Sequence, residues 1–354
     1  MQSLDNNTRA FFELVRAGLW EQEVHLLPYD MMDYQKVKRL ADEQRVVGLV
    51  TAGLEHVHDI KVPQEVLLQF IGQTIQLEHQ NRAMNQFIAD LMEELYKGRI
   101  YTLLVKGQGI AQCYERPLWR ASGDVDFLLS SENYKRATDF LLPISSRSKV
   151  EGKYSKHLGL TIGEWYIELH GTLRSCLSTR IDKEIDSVQS EVFNGGNVRL
   201  WMNEKTKVLL PGVDCDIFFV FTHFIKHFYK EGMTLRQICD WCRLMWTYKA
   251  GIDSNLLEKR LCKSNLMTEW RAFAALAVEH LGMPIGAMPL YDDGKIWSEK
   301  GDKIIRFILN GYSGSKIKDT YSIMKIFPGK TFQYLPSIFL NVNWLKIRER
   351  VFGQ

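Results

Sequence analysis

Leu103-Leu104-Val105-Lys106-Gly107, followed a short way on by Arg120-Ala121-Ser122-Gly123-Asp124-Val125-Asp126-Phe127-Leu128-Leu129, is the stretch that decides the fold. An apolar run enters a glycine turn and a helix; a second apolar run then carries two carboxylates one residue apart. Side chains at i and i+2 of a strand share a face, roughly 6–7 Å apart. A buried like-charge pair is costly unless a cation joins it, so packing explains Asp124 and Asp126 poorly. A divalent metal that also holds a triphosphate is the natural partner, which makes nucleotidyl transfer the leading reading.

A third carboxylate lies downstream. Leu158, Leu160 and Ile162 alternate, Gly163-Glu164 turns, and Trp165–His170 returns, which is the signature of a hairpin. On the returning strand Tyr166, Glu168 and His170 share a face opposite Ile167 and Leu169. If this strand neighbours the Asp124 strand, three acids converge. Asp124 and Asp126 would touch metal, and Glu168 would hold a second ion or accept a proton. The turn Lys106-Gly107-Gln108-Gly109 would cradle phosphates, since free backbone N–H groups and a helix dipole favour an anion and glycine allows close approach. Lys106 and Arg120 are the cationic candidates for phosphate oxygens, and His170 for a phosphate or a metal-bound water. A glycine turn or a D-x-D pair is weak evidence alone; their order, with Glu168 after a hairpin, is far more specific.

These elements resemble the nucleotidyltransferase superfamily (DNA polymerase beta-like), in which a glycine turn, a D-x-D strand and a later third acid follow in order. More narrowly the chain resembles the bacterial uncharacterised nucleotidyltransferase family. That family's leucine-lysine-glycine turn, arginine before an aspartate–apolar–aspartate strand, and later acid–apolar–histidine stand here as Val105-Lys106-Gly107, Arg120, Asp124-Val125-Asp126 and Glu168-Leu169-His170. The likeness extends to the helical region before the core and to His223…His227 and Arg236…Asp240 after it. It implies Mg²⁺-dependent transfer of an NMP from an NTP to an acceptor hydroxyl with release of pyrophosphate, using two Mg²⁺ ions, with Mn²⁺ as the alternative. Gln108 stands where the superfamily carries a serine, and Glu168 where Asp is common. Two other readings are a catalytically silent nucleotide-binding or interaction module, supported by the Gly107-Gln108 departure, and a toxin-like transferase acting on RNA or protein. The acceptor stays open among sugar phosphate, small-molecule hydroxyl, protein side chain and RNA end.

Around this core the chain reads as α+β: a helical region over 1–98, a small mixed sheet over 99–212, and a second helical region over 213–354. In the first region Phe11, Leu14, Val15 and Leu19 mark one helix. A second helix opens at Val62-Pro63, with Val66, Leu67, Phe70, Ile71 and Ile75 as its apolar side, and a third runs from Asn81 to Tyr96. Strands are expected over 100–105 and 125–129, with a helix over 107–115 between them. Arg180–Gly212 is the least readable part, offering a Gly195-Gly196 turn and a strand at Val198–Met202. Asp214 or Asp216 would cap a helix to Tyr229, and Thr234 begins another.

With 354 residues, 45% hydrophobic and 25% charged, the composition is that of an ordinary globular protein, and a formal charge of +3 does not announce a nucleic-acid binder. Beyond Gly301 lie nine Lys/Arg (Lys303, Arg306, Lys316, Lys318, Lys325, Lys330, Lys346, Arg348, Arg350), read as a solvated basic face rather than a polyanion site. Six scattered cysteines and the lack of a signal-like N-terminus or an 18-residue apolar run suggest reduced thiols in a cytoplasmic protein. His223 and His227, one helical turn apart, read either as a polar contact between helices or as part of the acceptor pocket. With Cys239 and Cys242 they could form a zinc site, against which CxxC in an apolar helix reads as two buried thiols. Arg236 and Asp240 read as a helix-surface pair.

Overall fold

The computed structural model describes residues 4–29, 31–150, 157–311 and 313–335. Lys346, Arg348 and Arg350 of the basic C-terminal stretch lie outside them. Four helices come first: α1 (Asn6–Trp20), α2 (Tyr34–Glu43), α3 (Val47–Glu55) and α4 (Gln64–Lys97). The core follows as β1 (Leu103–Val105), α5 (Gly107–Ala111), β2 (Val125–Leu128), α6 (Ser131–Leu141), β3 (Arg147–Val150), β4 (His157–Ile162), β5 (Trp165–His170), α7 (Thr179–Gly195), β6 (Val198–Asn203) and β7 (Thr206–Pro211). The chain then returns to helix: α8 (Val213–Lys230), α9 (Leu235–Tyr248), α10 (Ser254–Ser264), α11 (Met267–Leu281), α12 (Lys295–Leu309), α13 (Lys316–Met324) and α14 (Pro328–Tyr334). The fold is α+β, with helices flanking a small mixed sheet. Among the described residues no helix is long and apolar enough to cross a membrane.

The five-stranded sheet has the order β1-β2-β5-β4-β3, in which only β2 and β5 run parallel. The β4–β5 hairpin forms as its alternation predicts, turning on Gly163 at φ +60°, a conformation that glycine adopts without a steric penalty. One face of the sheet buries Leu104, Val125, Phe127, Leu158, Leu160, Ile167 and Leu169 against Met84, Ile88, Leu91, Met92 and Leu95 of α4.

α4 corrects the expectation of two separate helices. It is one helix of 34 residues, because nothing between Ile75 and Asn81 caps or breaks it. Its buried stripe passes through Val66, Phe70, Thr74, Asn81, Met84, Ile88 and Leu95 in steps of three, four and seven. Ile71 and Ile75 sit one position off that stripe and face solvent, contrary to the apolar side assigned to them.

The two helical regions meet directly. α1 crosses α3 so closely that a Cβ on Gly18 would lie 2.0 Å from the Leu49 carbonyl oxygen, and one on Gly53 2.1 Å from that of Leu14. On its far side Arg16 Nε donates to His280 O at 2.9 Å and Trp20 Nε1 to Leu281 O at 2.6 Å. One continuous cluster of buried side chains therefore includes Phe11, Phe70, Phe221, Trp241, Trp270 and Phe327.

Other boundaries differ from expectation for local reasons. β1 is three residues long and α5 a single turn, since Cys113 and Tyr114 already leave the helix. The unreadable stretch holds α7 and the whole β6–β7 hairpin; β6 alternates with its apolar Leu200 and Met202 exposed, so its pattern is inverted relative to a core strand. Gly212, not an aspartate, precedes α8. Asp216 is buried and paired with Arg199, and Asp214 accepts from Asp253 N. Thr234 does begin α9, in a reciprocal capping box with Gln237.

Candidate active site

The register of β2 against β5 sets Asp126 directly beside Glu168 on adjacent parallel strands. Asp124 precedes β2 at the exposed mouth, and one carboxylate oxygen from each of the three acids lies within 4.8 Å of the others. The predicted convergence of Asp124, Asp126 and Glu168 is thus present in the geometry. The loop that delivers them is braced from three sides. Asn81 Nδ2 donates to the carbonyls of Leu118 (2.7 Å) and Arg120 (2.8 Å), Arg45 to Ser122 O (2.9 Å), and Arg236 to Ala121 O (2.8 Å).

Cationic groups meet the acids. Lys106 Nζ donates to Asp126 Oδ1 at 2.8 Å, and His170 Nε2 approaches the same oxygen at 2.7 Å. Glu168 Oε2 lies 3.1 Å from His157 Nε2 and 3.3 Å from His170 Nε2. Burial opposes ionisation of Asp126, but Lys106 and the His170 hydrogen bond outweigh it and hold the carboxyl below its usual range. Burial likewise opposes ionisation of Glu168, and hydrogen bonds from His157 and His170 outweigh it and hold its carboxyl well below the usual range. Asp124 goes the other way: Asp126, then burial, push its carboxyl up. Burial disfavours the charge on Lys106, yet Asp126 and Asp124 keep it protonated. His170 is raised in the same manner, its hydrogen bonds to Asp126 and Glu168 overcoming burial.

Lys106 occupies φ +60°, ψ −149°, a region essentially reserved for glycine, which stores about 1–3 kcal/mol of strain. The turn continues through Gly107 at φ +45°. α5 is too short for its dipole to add much at this turn.

Two predicted residues spend their polar groups on the fold: Gln108 lies outside the cavity lining, and Arg120 lines the cavity but is held in a buried ion pair. Gln108 turns to α4, where its Nε2 donates to Asn81 Oδ1 (3.2 Å) and Asn85 Oδ1 (2.7 Å). The Gln108 side chain is therefore a brace between α5 and α4. Gln108→Ala is expected to lower stability by about 1–3 kcal/mol, because the buried Asn81 and partly buried Asn85 amide oxygens lose their donor. Thermal melts should show the loss, while nucleotide affinity changes little; an affinity loss without a stability loss would refute this role. Arg120 is buried and forms a bidentate pair with Asp240, Nε to Oδ1 at 2.6 Å and Nη2 to Oδ2 at 2.7 Å, and Tyr114 Oη adds a third bond to Asp240 at 2.8 Å. Asp240 is hence no helix-surface partner of Arg236.

A cavity of about 730 Å³ opens over the acids. His223 and His227 line it, their Nε2 atoms 3.0 Å apart. Burial, reinforced by Lys106 and His227, pushes His223 well below its ordinary value, so its ring is neutral at neutral pH. Cys239 and Cys242 are buried, and burial keeps both thiols protonated. Among the described residues no convergent ligand set includes them.

His157, Arg45, Arg174, Lys226 and Lys230 line the cavity without having been singled out in the sequence. For His157 a signal existed: counting back from the Gly163-Glu164 turn pairs it with His170. The basic residues came from loops and helices whose placement no local pattern encodes.

A mixed sheet that carries a glycine turn, a D-x-D strand and a neighbouring third acid defines a protein of the nucleotidyltransferase class. The chain belongs to the uncharacterised nucleotidyltransferase family, whose model matches residues 30–282. Neither the curated proteins nor the solved structures gave a match.

Proposed function

We propose that this protein moves a nucleoside monophosphate from an NTP to an acceptor hydroxyl and releases pyrophosphate, with Asp124, Asp126 and Glu168 as the metal ligands. The observation that carries the reading is the Asp126–Glu168 register beside Asp124. Three close carboxylates form an all-oxygen donor set suited to a hard cation, Mg²⁺ or Mn²⁺, and the raised Asp124 carboxyl reports a repulsion that a cation would relieve. Bound there, the metal would neutralise triphosphate charge and acidify the attacking hydroxyl.

The chain's own residues supply the rest. Lys106, kept protonated, is a fixed positive charge for phosphate oxygens beside a turn whose Gly107 carries no side chain. His223, neutral and facing the same cavity, can accept a hydrogen bond from the acceptor hydroxyl and orient it. A second cavity of about 490 Å³ shares Arg45, His227, Arg236 and Gln237 with the first and offers the acceptor its own approach. Holding the reactants in place and neutralising charge would account for most of the rate.

The test is pyrophosphate release from each of the four NTPs with Mg²⁺ or Mn²⁺, with and without a pool of metabolites and RNA. Release that depends on the pool identifies the acceptor class. Metal-dependent NTP binding without release under any condition overturns the reading in favour of a silent binding module.

A further inference from the structure

The sheet carries a second convergent ligand set that the nucleotidyl-transfer reading does not use. His157 and His170 are direct cross-strand partners on β4 and β5, and Glu168 lies two residues back from His170 on the same face. Their ligand atoms lie within 4.8 Å of one another. The two imidazole rings stack with centroids 4.5 Å apart and planes 28° apart, and both Nε2 atoms point at Glu168 Oε2. Opposite Glu168 stands Gly159, whose lack of a Cβ makes room for the Tyr166 hydroxyl, which would lie 2.0 Å from one.

The grouping is also what a shared cation would require. His170 Nε2 carries at most one proton, yet faces Asp126 Oδ1 at 2.7 Å and Glu168 Oε2 at 3.3 Å. A single cation between the two rings and Glu168 would be shared by all three side chains. Two imidazoles and one carboxylate with open positions make a donor set for Zn²⁺, Mn²⁺ or Fe²⁺ rather than Mg²⁺.

We infer that His157, Glu168 and His170 bind a borderline divalent metal ion of the zinc and manganese class, next to the all-carboxylate set and sharing Glu168 with it. The inference deepens the nucleotidyl-transfer reading by giving one of its cations a mixed nitrogen–oxygen seat, but binding there requires no turnover.

The experiment uses the full chain, stripped with chelator and re-equilibrated with Zn²⁺, with bound metal measured by mass spectrometry and the ligands by zinc-edge X-ray absorption. One Zn²⁺ per chain with two imidazole ligands is expected in the wild type, a readout that needs no variant. His157→Gln should weaken Zn²⁺ by at least about 100-fold, whereas Asp124→Asn should change it by less than about threefold. Oxygen-only coordination, no bound Zn²⁺, or loss in Asp124→Asn with retention in His157→Gln would overturn the site. Failure of the two readings is separable. Zn²⁺ bound through two imidazoles without pyrophosphate release sinks nucleotidyl transfer alone, and release with Mg²⁺ in a chain that takes up no Zn²⁺ sinks this site alone.

Discussion

Asp126→Asn and Asp124→Asn are both expected to abolish pyrophosphate release, by several kcal/mol of lost charge stabilisation, on the order of 10³-fold or more. They are expected to differ in stability. Asp126 is buried and takes hydrogen bonds from Lys106 and His170, so neutralising it leaves a buried ammonium short of its main partner. Breaking such a pair from one side costs about 3–5 kcal/mol, and the remaining Asp124 and Glu168 charges place this case at the low end. Asp124 sits exposed at the mouth with its carboxyl pushed up by Asp126. A folded-state pKa above the unfolded one means that ionising Asp124 costs folding free energy. That cost grows as pH rises from the unfolded value through the folded value, and it is complete at neutral pH. Asp124→Asn should therefore leave the melting temperature of the chelator-treated protein unchanged or raised, while Asp126→Asn lowers it. Asp126 and Glu168 have the opposite sign: their contribution is full above the ordinary carboxylate range and is lost as pH falls through their depressed folded values. Equal melting temperatures for the two variants, or turnover in either, would contradict this assignment.

The second large effect lies at an ion pair in the cavity lining. Asp240→Asn should cost about 3–5 kcal/mol, because Arg120 is buried and Asp240 takes two of its three hydrogen bonds as well as that of Tyr114. Against a total stability of roughly 5–15 kcal/mol, that loss should appear as a large drop in melting temperature and in soluble yield. Arg120→Met should do similar damage, and the double variant Arg120→Met/Asp240→Leu should recover part of it, since no unpaired buried charge is left. A phosphate-binding Arg120 would behave differently: Arg120→Met would raise the KM for NTP at unchanged stability. That outcome would restore the role suggested by its place before the D-x-D strand.

Much of the core was legible in the sequence because its signals are local. Period-two alternation and a glycine turn locate β4 and β5, and the D-x-D spacing puts Asp124 and Asp126 toward one face. Tertiary pairing then placed β5 parallel to β2 at the register that joins Asp126 to Glu168. No local pattern states which strands become neighbours. The inverted alternation of β6 and the shared amphipathic stripe of α4 were unreadable for a related reason, since each faces a partner brought in from elsewhere in the chain.

The sequence by itself determined the acids, the glycine turn and the strand faces, through periodicities of the backbone that need no partner. Only the tertiary structure decided the fate of the polar residues around them. Arg120 found Asp240 from α9, Gln108 found Asn81 and Asn85 on α4, and His157 met His170 across a hairpin. A buried charge or amide must be paired, and its partner is chosen by what the packed helices bring within hydrogen-bonding reach rather than by spacing along the chain.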